Sequence, residues 1–231
     1  MQFILDGITN ALTAIVTLDI EVYSAAWRSL WISTLAVLLA SFLGIPLGTW
    51  LARRPHFSTR IIVQICQTGM ALPTVFIGLI CFAMFARSGP LGPLDLLYTP
   101  WAIVIGEVLL AFPLIVSHTH GAVSSLDNRI GETALTLGAS PVRRFLTYLS
   151  EARVGIKLAI FTAFSRCVTE LGIAMMVGGN LKDQTRTLST ATALETSKGE
   201  FSTGMAMGFV LLLIALTVTL LIQFIGKTDN A

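Results

Sequence analysis

The sequence predicts an all-α polytopic membrane protein, and three observations carry that prediction. Of the 231 residues, 54% are apolar and only 12% are charged, and the mean hydropathy is +0.79. Several apolar stretches reach the length of about 20 residues that a helix needs to cross ~30 Å of hydrocarbon. The segments between them are polar or rich in glycine and proline, as expected for loops. A soluble globular domain of this composition is excluded.

The elements follow in order along a single domain over 1–231. We predict five transmembrane helices over 27–52, 60–86, 100–117, 154–178 and 204–226. In the first, Gly44 and Gly48 are four residues apart and permit close approach of another helix. In the second, Pro73 predicts a kink that neighbouring helices must accommodate.

The N-terminal segment 1–20 is apolar but too interrupted to span. Asp6 and Gly7 break it, and it lacks the basic start and the cleavage site of a signal peptide. Its apolar residues recur at roughly helical spacing, so we expect a helix that lies along the membrane surface in contact with lipid.

The segment 127–150 is polar and helix-forming. Gly138 is placed to end one helix in a left-handed conformation, and Ser140 and Pro141 supply the cap and first-turn proline of a second. Its arginines keep the block in water, at the membrane surface or against a soluble partner. A surface hairpin without a partner is the alternative interpretation.

Basic residues predict the orientation, because lysine and arginine in short loops stay in the cytoplasm. The loops over 53–60 and 129–157 together with Lys227 hold nine Lys and Arg residues, whereas the opposite loops hold five. We therefore expect an outside N-terminus, a cytoplasmic C-terminus and a cytoplasmic polar block.

Two charges, Arg166 and Glu170, lie deep inside the predicted fourth span, which also has Lys157 near its start. An arginine at the centre of a lone membrane helix costs roughly 2.5–3.5 kcal/mol, so Arg166 must face protein or water and be paired. Glu170 follows one turn later on the same face. Two interpretations stay open: a structural clasp, with Glu107 as a further member, or the polar lining of a translocation path.

The polar block also carries a family pattern. The matching positions are Glu132, Thr133, Ala134, Leu137, Gly138, Ala139, Ser140, Pro141 and Phe145. They resemble the EAA loop of the membrane subunits (permeases) of ABC importers, in which the loop forms a coupling helix that docks on the ATPase. Thr133 departs from the second alanine of that pattern, and Ser150-Glu151 stands where the family has Leu-Pro.

A second resemblance surrounds the intramembrane charges. The segments 165–172, 175–180 and 185–188 are similar to a pattern of permeases for molybdate, tungstate and sulfate, and the loop 195–201 looks most like the tungstate branch. The resemblance points to a path or gate formed by Arg166, Glu170, Gly178, Gly179, Asn180, Thr185 and Thr187. Backbone N–H groups at the glycines and side-chain donors at the other positions suit a divalent anion. A solvated loop that only caps two helices is the alternative.

Together the resemblances imply the permease subunit of a type I ABC importer with a MetI-like fold, which imports an oxyanion by alternating access. The resemblance of the loop 195–201 implies that this oxyanion is tungstate. The implied partners are two copies of an ABC ATPase carrying ATP and Mg²⁺, a periplasmic or lipid-anchored oxyanion-binding protein, and a second copy of this chain. The implied location is the inner membrane of a bacterial or archaeal cell. Molybdate or sulfate are alternative substrates.

Other functional classes lack support in the sequence. No catalytic constellation or metal-ligand spacing is present, Cys66, Cys81 and Cys167 fall in apolar runs, and the dispersed basic residues make no nucleic-acid patch. We expect no cofactor in this chain. An ATP-independent secondary transporter is the alternative class, although an odd number of spans does not suit two inverted halves.

Overall fold

The structure, a computed structural model, describes residues 20–54 and 56–228, together with residues 6, 8, 9 and 13; the side chains of 219 and 221–228 are outside that description. The described residues form helices and no strand. The α-helices are α1 (Ile20–Ala52), α2 (Phe57–Gly69), α3 (Thr74–Phe85), α4 (Pro100–Ser124), α5 (Asn128–Thr136), α6 (Pro141–Glu151), α7 (Arg153–Val168), α8 (Leu188–Ser197) and α9 (Phe201–Thr228). A 3₁₀ turn covers Gly92–Leu94, and a π-helix covers Ala174–Gly178.

Helices α1 and α4 pack closely at two glycines. A Cβ atom added at Gly44 would lie 3.0 Å from the Ile115 side chain, and one at Gly48 would lie 2.8 Å from the carbonyl oxygen of Val116. Neither position has room for a side chain. The prediction that these glycines permit close approach of another helix is confirmed, and the other helix is α4.

The predicted span over 60–86 is divided between α2 and α3, whose axes differ by 101°. Pro73 precedes α3 with an extended backbone, at φ −60° and ψ 129°. Because proline has no N–H to donate and restricts its predecessor, the chain leaves the helix at this point. The single kinked helix of the prediction is therefore corrected to two helices.

The predicted span over 154–178 is also interrupted. Helix α7 ends at Val168, and a carboxylate oxygen of Glu170 then accepts a hydrogen bond from the N–H of Ile173 at 3.2 Å. A carboxylate in this position caps the start of a new helical turn, which passes into the π-helix. One continuous helix is thus replaced by two segments joined near Glu170.

The other predicted boundaries shift by a few residues. Helix α1 begins at Ile20 rather than at 27, α4 continues to Ser124 rather than ending at 117, and α9 covers Phe201–Thr228 rather than 204–226. The predicted surface helix over 1–20 lies outside the described residues, apart from residues 6, 8, 9, 13 and 20.

Three of the described helices are long and apolar enough to cross a membrane: α1, α4 and the Phe201–Val218 part of α9. The bent pair of α2 and α3 makes a fourth if it is counted as one span. Helix α7 has 16 residues, fewer than the ~20 that a span needs. The number of five spans therefore stays a prediction.

The core lies where α1, α3, α4 and the π-helix meet. Ile32, Cys81, Ile103, Ile173 and Val177 are buried there together. All three cysteines are buried and free, as predicted for small core residues. This packing fixes the position of the π-helix and of Glu170 just before it.

Candidate functional site

The polar block folds into a helical hairpin, α5 and α6, through local signals at each end. The Asp127 side chain accepts a hydrogen bond from the N–H of Arg129 at 2.9 Å and caps α5, and the Ser140 hydroxyl accepts one from the N–H of Arg143 at 3.4 Å and caps α6. Gly138 has a φ of +74° between them. The two helices and the glycine between them are as predicted.

The turn at Gly138 has the bonding of a Schellman motif. The N–H of Gly138 donates to the carbonyl of Leu135, and the N–H of Ala139 donates to the carbonyl of Ala134, both at 2.9 Å. These bonds satisfy the last carbonyls of α5 and require a left-handed residue. Glycine adopts that conformation without a Cβ penalty, so the turn is sharp and rigid.

The hairpin presents large apolar side chains to its surroundings, although neither of its helices has a buried residue. Leu135, Leu137, Val142 and Leu146 are between 55% and 81% exposed. Several exposed large apolar side chains on a polar segment are typical of a docking site for another protein. Glu132, Thr133, Gly138 and Ser140 are also exposed, whereas Ala134 and Ala139 are half-buried.

Arg53, just past the end of α1, joins the hairpin to the helical core. Its guanidinium donates to the carbonyl of Val123 at 2.9 Å and to the Asn128 side chain at 3.3 Å. The same group lies 4.3 Å from the centre of the Tyr148 ring on α6. One side chain thus contacts the end of α4, the first residue of α5 and the Tyr148 ring of α6. From the sequence, Arg53 was used only as one of the basic residues that predict the orientation in the membrane, because the adjacent sequence gives no sign of partners so far along the chain.

The two hairpin helices are also in direct contact. A Cβ atom at Gly131 would lie 2.1 Å from the Tyr148 hydroxyl, so any larger residue would displace the tyrosine ring. Tyr148 therefore touches α5 on one side and Arg53 on the other. The hairpin is held against the core as one unit.

Arg166 and Glu170 form an ion pair, with 3.2 Å between guanidinium nitrogen and carboxylate oxygen. The two partners differ in environment: the Arg166 side chain is 46% exposed, whereas that of Glu170 is 1% exposed. Glu170 is thus held by Arg166 and by the N–H of Ile173 at once. The pair confirms the predicted contact, but the helix ends between its members.

The exposed side of this pair faces a cavity of about 440 Å³. Arg166, Thr169 and Glu170 line it, together with Met175 and Met176 from the π-helix segment. A guanidinium, a hydroxyl and soft apolar walls can hold an anion without enclosing it. Gly172, which also lines the cavity, packs closely against the start of α3. A Cβ atom there would lie 2.9 Å from the hydroxyl oxygen of Thr74, the first residue of that helix.

Glu107 forms no ion pair with Arg166, although it is near enough to Glu170 to interact with it electrostatically. It is 2% exposed, its side chain shares a hydrogen bond with Ser33, and its Oε2 atom has no partner among the described residues. Cys167 approaches it from α7, with the thiol 3.8 Å from the Glu107 carbonyl oxygen. Glu107 is therefore not the third member of the clasp that the sequence suggested.

The predicted gate loop after the π-helix is tightly organised. The Thr185 hydroxyl donates to the carbonyl of Gly178 at 2.6 Å and accepts from the N–H of Leu181 at 2.9 Å. Asn180 donates from its amide to the carbonyl of Thr190 at 3.3 Å. In this conformation these donors stabilise the loop itself.

Thr187 has a similar role at the next helix. Its hydroxyl accepts from the N–H of Thr190 and caps α8, and both threonines are buried. Gly178 is buried too, and Gly179 has a φ of +68° with the Tyr98 ring 2.7 Å from where a Cβ would be. The structure brings these residues together as a loop scaffold, next to α1 rather than beside Arg166.

Three contacts tie this loop to the start of α1. Arg28 donates to the carbonyl of Arg186 at 2.8 Å, and the N–H of Leu188 donates to the Ser29 hydroxyl at 2.9 Å. The Lys182 ammonium donates to Glu21, and this hydrogen bond raises the pKa of Lys182. The loop and α1 therefore form one surface.

The described residues contain no group of three or more His, Cys, Asp and Glu side chains that could hold a metal ion. His118 is exposed, and His120 lies 3.4 Å from the Ser124 hydroxyl one turn later on α4.

Comparison with known families decides between the classes considered above. Residues 44–228 match the family described as "Binding-protein-dependent transport system inner membrane component". The chain belongs to this family. The match includes the hairpin, the ion pair and the loop after the π-helix.

Individual permeases are similar over nearly the whole chain. A tungstate uptake system permease protein TupB of Peptoclostridium acidaminophilum is 32% identical over 96% of this chain and 97% of its own length. The TupB protein of Campylobacter jejuni is 35% identical over 99% and 95%. A probable anion ABC transporter permease protein of Haloferax volcanii is 36% identical over 84% and 85%. Permeases named for molybdenum and sulfate transport match at 23% to 28% identity.

The fold has counterparts among solved structures. A chain of the MetNI methionine ABC transporter in an inward-facing conformation superposes with a TM-score of 0.68 at 21% identity, over 88% of this chain and 91% of that chain. The chain is therefore an all-helical, MetI-like permease of a multi-pass membrane family, as the resemblance predicted. Permeases of this kind are transport subunits that work with an ATPase and a substrate-binding protein.

Proposed function

We propose that this chain is the permease subunit of an ATP-driven importer that carries an oxyanion, and specifically tungstate, across the inner membrane. The observation that carries this proposal is the α5–α6 hairpin, which exposes Leu135, Leu137, Val142 and Leu146 and is fastened to the core through Arg53. Similarity to permeases named for tungstate uptake supports the substrate.

The hairpin is the proposed contact with the ATPase. The residues assigned to coupling are Glu132, Thr133, Ala134, Leu137, Gly138, Ala139 and Ser140. Two ATPase copies, which bind ATP and Mg²⁺, dock on the hairpins of two copies of this chain, because a symmetric pair of motors requires a symmetric pair of docking sites. Arg53 transmits the displacement of the hairpin to the ends of α1 and α4, since its guanidinium contacts both sides.

The cavity beside Arg166 is the proposed path for the anion. Arg166 supplies positive charge that is half-exposed, and buried Glu170 orients it and offsets part of that charge. An anion that meets a fully unpaired guanidinium would bind strongly and leave slowly, whereas transport requires release. Two copies of the chain place this cavity toward a shared axis, at the level of the break between α2 and α3.

The loop with Gly178, Gly179, Asn180, Thr185 and Thr187 is the proposed outer gate. In the closed arrangement described above, its donors bind its own carbonyls. Delivery of the anion by a periplasmic or lipid-anchored binding protein opens the loop, and ATP binding and hydrolysis drive alternating access. This scheme requires an outside N-terminus, a cytoplasmic C-terminus and five spans, of which α7 and the π-helix form the fourth.

Reconstitution tests the proposal. We expect this chain to co-purify with an ATPase subunit and to form, with it, proteoliposomes that accumulate tungstate only when the binding protein and ATP are supplied. Molybdate and sulfate serve as competitors, and preference for either would keep the importer but change the substrate. Uptake that proceeds without ATP and without the ATPase would refute the proposal in favour of a secondary transporter.

A further inference from the structure

A basic cavity lies between the end of α1 and the first turns of α6. Its volume is about 240 Å³. The side chains that define it are Trp50, Arg53, Arg54, Arg144 and Tyr148. Three of these five carry a permanent positive charge, because arginine stays protonated at any physiological pH.

The positive charge of this cavity is not balanced from within. No acidic side chain lines it, and among residues 20–54 and 56–228 no carboxylate forms an ion pair with any of its three arginines. Arg53 lies on the Tyr148 ring, and Arg54 lies 5.3 Å from the centre of the Trp50 ring. Aromatic faces orient guanidinium groups but leave their N–H donors available at the edge.

The start of α6 adds to the same electrostatic field. Pro141, its first residue, lines the cavity, and the helix has 11 residues. The N-terminal end of a helix carries a partial positive charge, so it reinforces the arginines. The cavity therefore combines forked donors, a helix end and aromatic walls at one place.

We propose that this cavity binds a tetrahedral oxyanion of the phosphate type. Guanidinium forks match two oxygens of such a group at once, and two or three forks can share one anion. The ligand can come from two sources: the headgroup of an anionic phospholipid, since Trp50 is half-exposed beside the cavity as in an interfacial aromatic belt, or a free oxyanion in the cytoplasm. That the cavity faces the cytoplasm, and so the inner leaflet, rests on the orientation given under the proposed function. The proposal that it binds an anion does not depend on that orientation.

Occupancy has a structural consequence. The anion joins Arg54, which follows α1, to Arg144 on α6, so it adds a second connection between the core and the hairpin beside the one made by Arg53. Arg53 is already engaged with Val123 and Asn128. Arg54 and Arg144 are therefore the residues whose removal tests the site while the hairpin stays attached.

The experiment uses the complex of this chain with its ATPase, in detergent and in nanodiscs. One arm exchanges phosphatidylglycerol against phosphatidylcholine and counts retained lipids by native mass spectrometry. The other measures equilibrium binding of radiolabelled inorganic phosphate at low ionic strength. The test variant is Arg54→Gln with Arg144→Gln, and the matched control is Arg129→Gln with Arg143→Gln, which removes the same charge from residues that do not line the cavity.

We expect wild type and control to bind alike and the test variant to bind at least about tenfold more weakly, because two charge-assisted contacts are lost. Retention of phosphatidylglycerol without phosphate binding assigns the site to lipid, and saturable phosphate binding assigns it to a free oxyanion. Equal binding by the test variant, or no binding in either arm, would overturn the inference.

Failure of this inference can be told apart from failure of the proposed function, because neither arm depends on transport. Tungstate uptake by the same purified complexes is measured separately, after reconstitution into proteoliposomes. Anion binding without ATP-driven uptake would support the anion site and refute the importer function. ATP-driven uptake without anion binding would support the importer function and refute the anion site.

Discussion

Substitution of Gly138 by aspartate isolates the role of the hairpin turn. Gly138 is the left-handed residue after α5, and a Cβ atom there would meet nothing within 4 Å. The structural cost is therefore only that of placing a side chain at positive φ, about 1 kcal/mol. The effect on docking is larger, because an unpaired carboxylate buried in a protein interface costs about 3–5 kcal/mol.

The chain supplies a matched control at Gly199. This residue has a φ of +86°, also faces open space, and follows α8 with the same bonding: the N–H of Gly199 donates to the carbonyl of Thr196, and the N–H of Glu200 donates to that of Glu195. Gly199→Asp therefore introduces the same charge and the same backbone strain away from the hairpin.

The assay compares ATPase binding and ATP-dependent tungstate uptake in proteoliposomes. For Gly138→Asp we expect affinity for the ATPase to fall at least about a hundredfold and uptake to be lost, with insertion and thermal stability close to those of Gly199→Asp. Gly199→Asp should retain docking. If both variants insert, bind the ATPase and transport equally, the hairpin is not the site of coupling.

The remaining predictions concern three other contacts. Arg53→Ala should uncouple ATP hydrolysis from uptake and lower the free energy of unfolding by about 1–3 kcal/mol, because it leaves carbonyl and ring partners unmatched. Arg60→Ala, at an exposed position in the first turn of α2, should do neither in the same assays. Glu170→Ala should destabilise the protein by about 1–3 kcal/mol by removing the cap of the following turn. Arg166→Ala should reduce uptake and cost more stability, about 3–5 kcal/mol, because it leaves the Glu170 carboxylate buried without its ion-pair partner. A larger loss of stability for Glu170→Ala than for Arg166→Ala in chemical denaturation would contradict this division. Thr185→Val should lower the melting temperature, since two buried backbone groups lose their partner, and an unchanged melting temperature would show that the loop is held by other contacts.

Local chemistry explains what the sequence could predict. The hairpin follows from residues that act within one turn of themselves: Gly138 ends a helix, and Ser140 with Pro141 starts another. The close packing at Gly44 and Gly48 follows from the missing side chains. Such signals depend little on the rest of the fold, so they can be recognised from sequence alone.

Long-range contacts explain what it could not. Arg53 is important because Val123, Asn128 and Tyr148 come to it from 70 or more residues away. Glu170 was placed on one helix with Arg166, but its carboxylate competes for a backbone N–H and starts a new turn instead. The spacing of four residues is the same in both arrangements, and only tertiary packing selects between them.

The glycine seam between α1 and α4 limits how this molecule can change shape. With the Val116 carbonyl only 2.8 Å from the position of a Cβ at Gly48, a slide of one residue along the axis would drive the neighbouring side chains into the opposing backbone. These two helices must therefore move together as one rigid body. The non-helical segments 70–73 and 169–171 interrupt the other helices, and they lie close to each other at Gly172. We therefore expect conformational changes during transport to hinge at these two segments.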